Sequence, residues 1–99
     1  MSAMQVLFKA VAAAGTAEPI TAGDTPVSRA LIRAAKQTGD NVGNVYIGDS
    51  GVNNTSDRQF VLAPNQTLTV PVTAGGMVNL GALYVNADNN GDGVYVMYQ

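Results

Sequence analysis

An all-β domain is the fold class this sequence predicts, and three observations predict it. From Val42 onward, short runs rich in β-branched and aromatic residues are separated by Gly, Asn, Asp and Pro, the punctuation of antiparallel sheets. The clearest run, Gln66 to Val72, alternates strictly, with Leu68, Val70 and Val72 on one face and Thr67 and Thr69 on the other. The chain of 99 residues is 46% hydrophobic and 12% charged, which suits one core and a single domain over residues 1–99.

The elements follow in chain order. Gln5 to Val11 places Val6 and Phe8 on one face and Gln5, Leu7 and Lys9 on the other, a strand able to pack on both faces. The next stretch has two readings. Thr25 as N-cap, Pro26 in the first turn, apolar residues at 27, 30, 31, 34 and 35, and Gly39 as a stop predict a helix by propensity. The alternative is a strand from Arg29 to Lys36, with Leu31 and Ala35 opposed to Ile32 and Ala34. Periodicity does not decide between them.

Asn44 to Ile47 is a strand with Val45 and Ile47 on one face and Tyr46 on the other, and the polar stretch from Gly48 to Asp57 is a loop. Arg58 to Leu62 is a short strand ended by Ala63-Pro64-Asn65, where proline presets a turn. Pro71 cannot donate to a ladder, so that end of the Gln66 to Val72 strand lies at an edge or stops there, and Gly75-Gly76 makes the next break. Ala82 to Asn86 and Val94 to Tyr98 flank the loop "ADNNGDG" and read as a hairpin.

Composition excludes several kinds of chemistry. Five Lys and Arg against seven Asp and Glu give a net charge of −2, with no dense basic run to track phosphates, so no nucleic-acid partner is expected. With no cysteine and no histidine, thiolate chemistry, disulfides and the usual zinc ligands are absent. The N-terminal stretch has an apolar middle but no basic leader, and it carries Lys9 within the apolar part, which argues against a signal peptide. No segment has the ~20 apolar residues of a membrane span, so no membrane partner is expected.

Five features bear on possible chemistry. "GDSG" at Gly48 to Gly51 matches the surroundings of a protease serine, but that chemistry needs a histidine base that the chain lacks. The same Asp49-Ser50-Gly51 fits the D-[ST]-G of dimeric aspartic proteases, in which two carboxylates share a proton. Here Gly48 precedes Asp49 where that family has apolar residues, and the simpler reading is a turn in which Asp49 accepts backbone N–H groups and Gly51 supplies a positive φ. Asp88, Asn90, Asp92 and Gly93 match the start of a calcium loop, yet its twelfth position is Gln99 rather than Glu. A hairpin loop uses the same residue types, and no metal or other cofactor is expected. Finally, Tyr46, Tyr84, Tyr95 and Tyr98 could form a sugar platform, although strand tyrosines more often line a core edge or an interface. The N-x-[ST] sequons at Asn53, Asn54 and Asn65 matter only in a secreted eukaryotic protein.

Three stretches together carry a resemblance: "TGDNVGNVYIGDSGV" from Thr38, "FVLAPNQTLTVPV" from Phe60 and "LYVNADNNGDGVYVMY" from Leu83. They resemble small virion proteins of tailed bacteriophages, with an N-x-G-x-V-Y-[VI]-G strand, a Pro-containing turn and a closing hairpin. One departure is Asn65 where that turn commonly has Gly; Asn tolerates the left-handed conformation the turn requires. The resemblance implies a two-sheet antiparallel β-sandwich of jelly-roll type with about seven short strands, and it implies the strand reading for Arg29 to Lys36. It further implies a non-enzymatic virion protein made in the host cytoplasm. Such a protein is a capsid decoration (cement) protein on the major capsid protein or other virion subunits, or a fibre or neck module, and a symmetric homo-oligomer. Under that reading residues 1–12 add a strand or arm to a neighbour, and their deletion leaves the rest of the domain folded.

Overall fold

The structure is a computed structural model that describes residues 3–70 and 76–99. Ten strands are present among them: β1 (Gln5–Ala10), β2 (Glu18–Pro19), β3 (Pro26–Val27), β4 (Ala30–Ala34), β5 (Val45–Gly48), β6 (Phe60–Leu62), β7 (Thr67–Val70), β8 (Val78–Asn79), β9 (Tyr84–Ala87) and β10 (Gly93–Tyr98). A 3-10 turn, Leu80–Ala82, is capped by Asn79, whose side chain accepts the Gly81 N–H. The expectation that the strand begun at Gln66 runs to Val72, and the roles of Pro71 and Gly75, lie outside the described residues.

The pairing is nested. β1 pairs with β10, β2 with β9, β3 with β8, β4 with β7 and β5 with β6, all antiparallel. The nested ribbon then closes on itself, because β10 also pairs with β4 and β9 with β5. The result is a front sheet of order β1-β10-β4-β7, a back sheet of order β2-β9-β5-β6, and the small β3-β8 pair. Ten strands rather than about seven arise because β2, β3 and β8 are two residues long, too short for alternation to register in the sequence.

The core lies between the two sheets. Val94 and Val96 of β10 and Ile32 of β4 come from the front sheet, and Val45, Val85 and Ala87 from the back sheet; all six are fully buried. Each larger aliphatic side chain removed from water stabilises the fold by about 1.5–3 kcal/mol. The strand reading of 29–36 holds in its centre, and the helical reading fails for a packing reason. In β4, Ala30, Ile32 and Ala34 are buried while Leu31 is half-buried and Arg33 exposed. Ile32 is off the apolar stripe of the projected helix, yet it is one of the most buried side chains of the molecule.

The Pro-containing turn also forms. Gln66 N–H donates to Ala63 O at 3.0 Å, with Pro64 and Asn65 between them and Asn65 at φ 70°, the type II arrangement. Asn65 N–H then reaches Ala34 O at 2.7 Å and ties the turn to the end of β4.

Two expectations are corrected. Ala82 to Asn86 and Val94 to Tyr98 do not form a hairpin: β9 belongs to the back sheet and β10 to the front sheet. The loop between them crosses the sandwich, because each strand already has two other neighbours. Nor do residues 5–11 stand apart from the domain as an arm. β1 is paired along its whole length with β10, and Val11 is fully buried in the core, so deletion would open the sandwich.

Candidate functional site

The carboxylates singled out by the sequence are engaged in holding loops. Asp92 is fully buried; its Oδ1 accepts the Val42 N–H at 2.9 Å and its Oδ2 the Gly43 N–H at 2.8 Å. The Lys36 ammonium stands 3.7 Å from the same carboxylate. Asp88 Oδ2 accepts the Tyr46 hydroxyl at 2.8 Å, and burial together with this carboxylate raises the Tyr46 pKa above its ordinary value. Only Gly91 in this loop takes a positive φ, 88°. Among the described residues no three acidic side chains gather as a metal ion would require.

Asp49 lies on an exposed loop. Its Oδ1 accepts from Gln59 Nε2 at 2.8 Å and from the Gly51 N–H at 2.9 Å, and these two bonds hold its carboxyl below the usual carboxylate range. The expected turn therefore forms, closed by the Val52 N–H on Asp49 O, but Gly51 does not take a positive φ. The tyrosines do not share a platform. Tyr46 is buried, and Tyr95 and Tyr98, three residues apart on β10, point to opposite faces.

The two outer faces of the sandwich are built differently. On the back sheet, Asn86 is fully buried under loops that its side chain pins. Its Oδ1 accepts the Gly15 N–H at 2.9 Å and the Ala87 N–H at 2.8 Å, and its Nδ2 donates to Val52 O at 3.1 Å. Asn54 Nδ2 adds a bond to Ala87 O, and Ala14 N–H one to Asn90 Oδ1. These contacts lay residues 12–17 and 49–57 over the sheet.

On the front sheet no such cover exists among the described residues. Its outward side chains form two cross-strand rows. One runs Val6, Met97, Leu31, Thr69, and the other Phe8, Tyr95, Arg33, Thr67, as the registers of β1, β10, β4 and β7 dictate. Val6 is 60% exposed and Met97 43%. Phe8 and Tyr95 pack ring to ring at 5.1 Å, and Arg33 is the sole charge in the rows. Contiguous apolar faces of this kind are uncommon on isolated domains. The signal was present in the sequence as Val6 and Phe8 opposing Leu7, and as the run "VYVMY", apolar on both sides.

The two open flanks of the sandwich also differ. Between β1 and β2, Lys9 Nζ meets Glu18 Oε1 at 2.9 Å, and Glu18 Oε2 accepts the N–H groups of Ala12 and Ala13. Desolvation works against the Glu18 charge, but these partners outweigh it and lower its pKa from 4.5. Between β6 and β7 there is instead an apolar cleft of about 280 Å³, lined by Ile47, Phe60, Leu68, Val70 and Leu83 with Gly48 and Thr69.

No family model, curated protein or solved structure matches the chain. No helix among the described residues is long and apolar enough to cross a membrane.

Proposed function

We propose that this protein is a non-enzymatic structural protein of a virion, of the capsid decoration type, which binds the major capsid protein shell through the outer face of its front sheet. The observation that carries the reading is the apolar surface of Val6, Met97, Leu31, Phe8 and Tyr95 left open across three strands, on a sandwich whose opposite face is covered except at Val61 on its β6 edge. Shape and apolar burial drive such contacts, with a polar rim around them; here Thr67, Thr69 and Arg33 supply the rim on the β7 side. The nested pairing that closes on itself supports the jelly-roll form of the sandwich. The resemblance to small virion proteins of tailed phages supports the location: made in the host cytoplasm and carried on the virion.

The test is co-sedimentation with shells assembled from the major capsid protein of the same virus. Wild type should pellet with shells, the double variant Leu31→Asp, Met97→Asp should lose at least about tenfold in affinity, and Asp49→Asn should bind as wild type. Equal binding by the double variant, or none by wild type, overturns the reading.

A further inference from the structure

From the open edge of β1 we infer that two copies of this chain pair their β1 strands antiparallel about a twofold axis, joining two front sheets into one of eight strands. Among the described residues β1 has a partner, β10, on one side only. Backbone direction alternates along a strand. Val11 N–H donates to Asp92 O, and a Cβ at Gly93 would run into the Lys9 carbonyl oxygen, so the odd residues turn toward β10. Val6, Phe8 and Ala10 therefore aim their N–H and C=O groups at the open edge, a ready template for another strand.

The other edges are poorer templates. β2 is two residues long and includes Pro19, β6 is three residues long, and β7 has four residues among those described and is followed in the sequence by Pro71. β1 has six. Natural edges are commonly protected by a charged side chain, but the one charge on β1, Lys9, turns to the inner side and is held by Glu18. Nothing charged on β1 remains to repel a second copy.

Apolarity across the outer face also points to this edge. It is Val6 and Phe8 on β1, Tyr95 and Met97 on β10, one apolar and one charged residue on β4, and only threonines on β7. The centre of a buried patch is apolar and its rim polar, so the centre lies at the β1 edge, with a polar rim on the far side only. A twofold axis there supplies the missing half.

Size agrees with this. With strands ~4.8 Å apart and residues ~3.3 Å apart, one front sheet offers roughly 350 Å², whereas a stable contact takes about 800 Å² from each partner. Two copies side by side approach that figure. This last consequence rests on the shell-binding reading; the pairing itself is tested without a shell.

The experiment is sedimentation velocity of the purified full chain over a concentration series, comparing wild type with Val6→Pro. Proline at Val6 removes an N–H that faces the open edge and no ladder bond to β10. Wild type should pass from monomer to dimer in the micromolar range, and Val6→Pro should stay monomeric with an unchanged circular dichroism spectrum. If Val6→Pro does not fold, Val6→Lys, which charges the same exposed position, should give the same monomer. A wild type that is monomeric throughout, or a dimer that persists in the folded variant, overturns the inference. Failure of shell binding with the dimer intact would overturn only the shell reading.

Discussion

The back sheet hides most of its outer surface under its own loops, with Val61 at its β6 edge still 43% exposed, and the front sheet leaves its outer surface to water. Both sheets have four strands and share one core, so the difference is not one of architecture. It comes from what stands at the outward positions. On β9 and β5 these are Asn86 and Tyr46, which hold loop backbones and a carboxylate through directed hydrogen bonds. On β1, β10 and β4 most are apolar: Val6, Phe8, Met97 and Leu31 hold nothing directionally and gain only by being covered, while Tyr95 and Arg33 each reach a single acceptor, Gln37 O and Asn65 Oδ1. Polar outward residues bind the chain to itself, and apolar ones leave a face open to water.

Perturbing the two regions should have unequal effects. The largest loss is expected at the end of the molecule where the sheets are laced together: Asp92→Ala strands Lys36 and two loop amides, and should cost about 3–5 kcal/mol in urea unfolding. The same unfolding with calcium or with EDTA should give the same loss, since the carboxylate is committed to protein groups. Asn86→Ala removes three hydrogen bonds from under the back loops and should cost about 2–4 kcal/mol, with faster amide exchange at Gly15 and Ala87 as the local signature. If the loops stay protected, the two faces do not differ in the way described.

A smaller effect belongs to the β1–β2 flank. The folded pKa of Glu18 lies below its ordinary value of 4.5, so the stability it contributes is present above that value and is lost as pH falls through the lower, folded one. Lys9→Met should flatten that acid limb of the stability profile and cost about 1 kcal/mol or less at neutral pH, the pair being partly exposed. The smallest effect is expected on the front face: Met97→Thr should change stability by no more than about 0.5 kcal/mol. A loss there as large as that from Asn86→Ala would mean that the face is already in use within the chain.

Much of the sheet structure was legible. The strands at Gln5, Asn44, Arg58 and Gln66 announce themselves by alternation or by turn residues at their ends, and Asn65 fits its turn because its side chain tolerates the φ that the turn requires. What misled was neighbourhood. β9 and β10 are adjacent in sequence with Asp, Asn and Gly between them, and a loop that crosses from sheet to sheet draws on the same residues as one that reverses a strand. The stretch around Ile32 misled in a second way, because alanine and leucine favour helices locally while the partners that make it a strand, β10 and β7, lie far along the chain. The candidate face was legible only halfway. A strand apolar on both sides is equally the mark of burial on both sides, and only the positions of the loops distinguish a covered sheet from an open one.

The nested pairing also constrains the order in which the molecule can assemble. β10 occupies an inner position of the front sheet and β9 an inner position of the back sheet, yet both come late in the chain. Until they arrive, β1 and β2 have no strand to pair with, and only the inner ribbon of β3, β4, β5, β6, β7 and β8 can form. A chain paused on the ribosome before Gly93 therefore holds its N-terminal strand ready and unpaired. Closing so long a loop is entropically slow, so maturation should be limited by the capture of β1, with the interval before it the one in which this apolar strand is most open to unwanted partners.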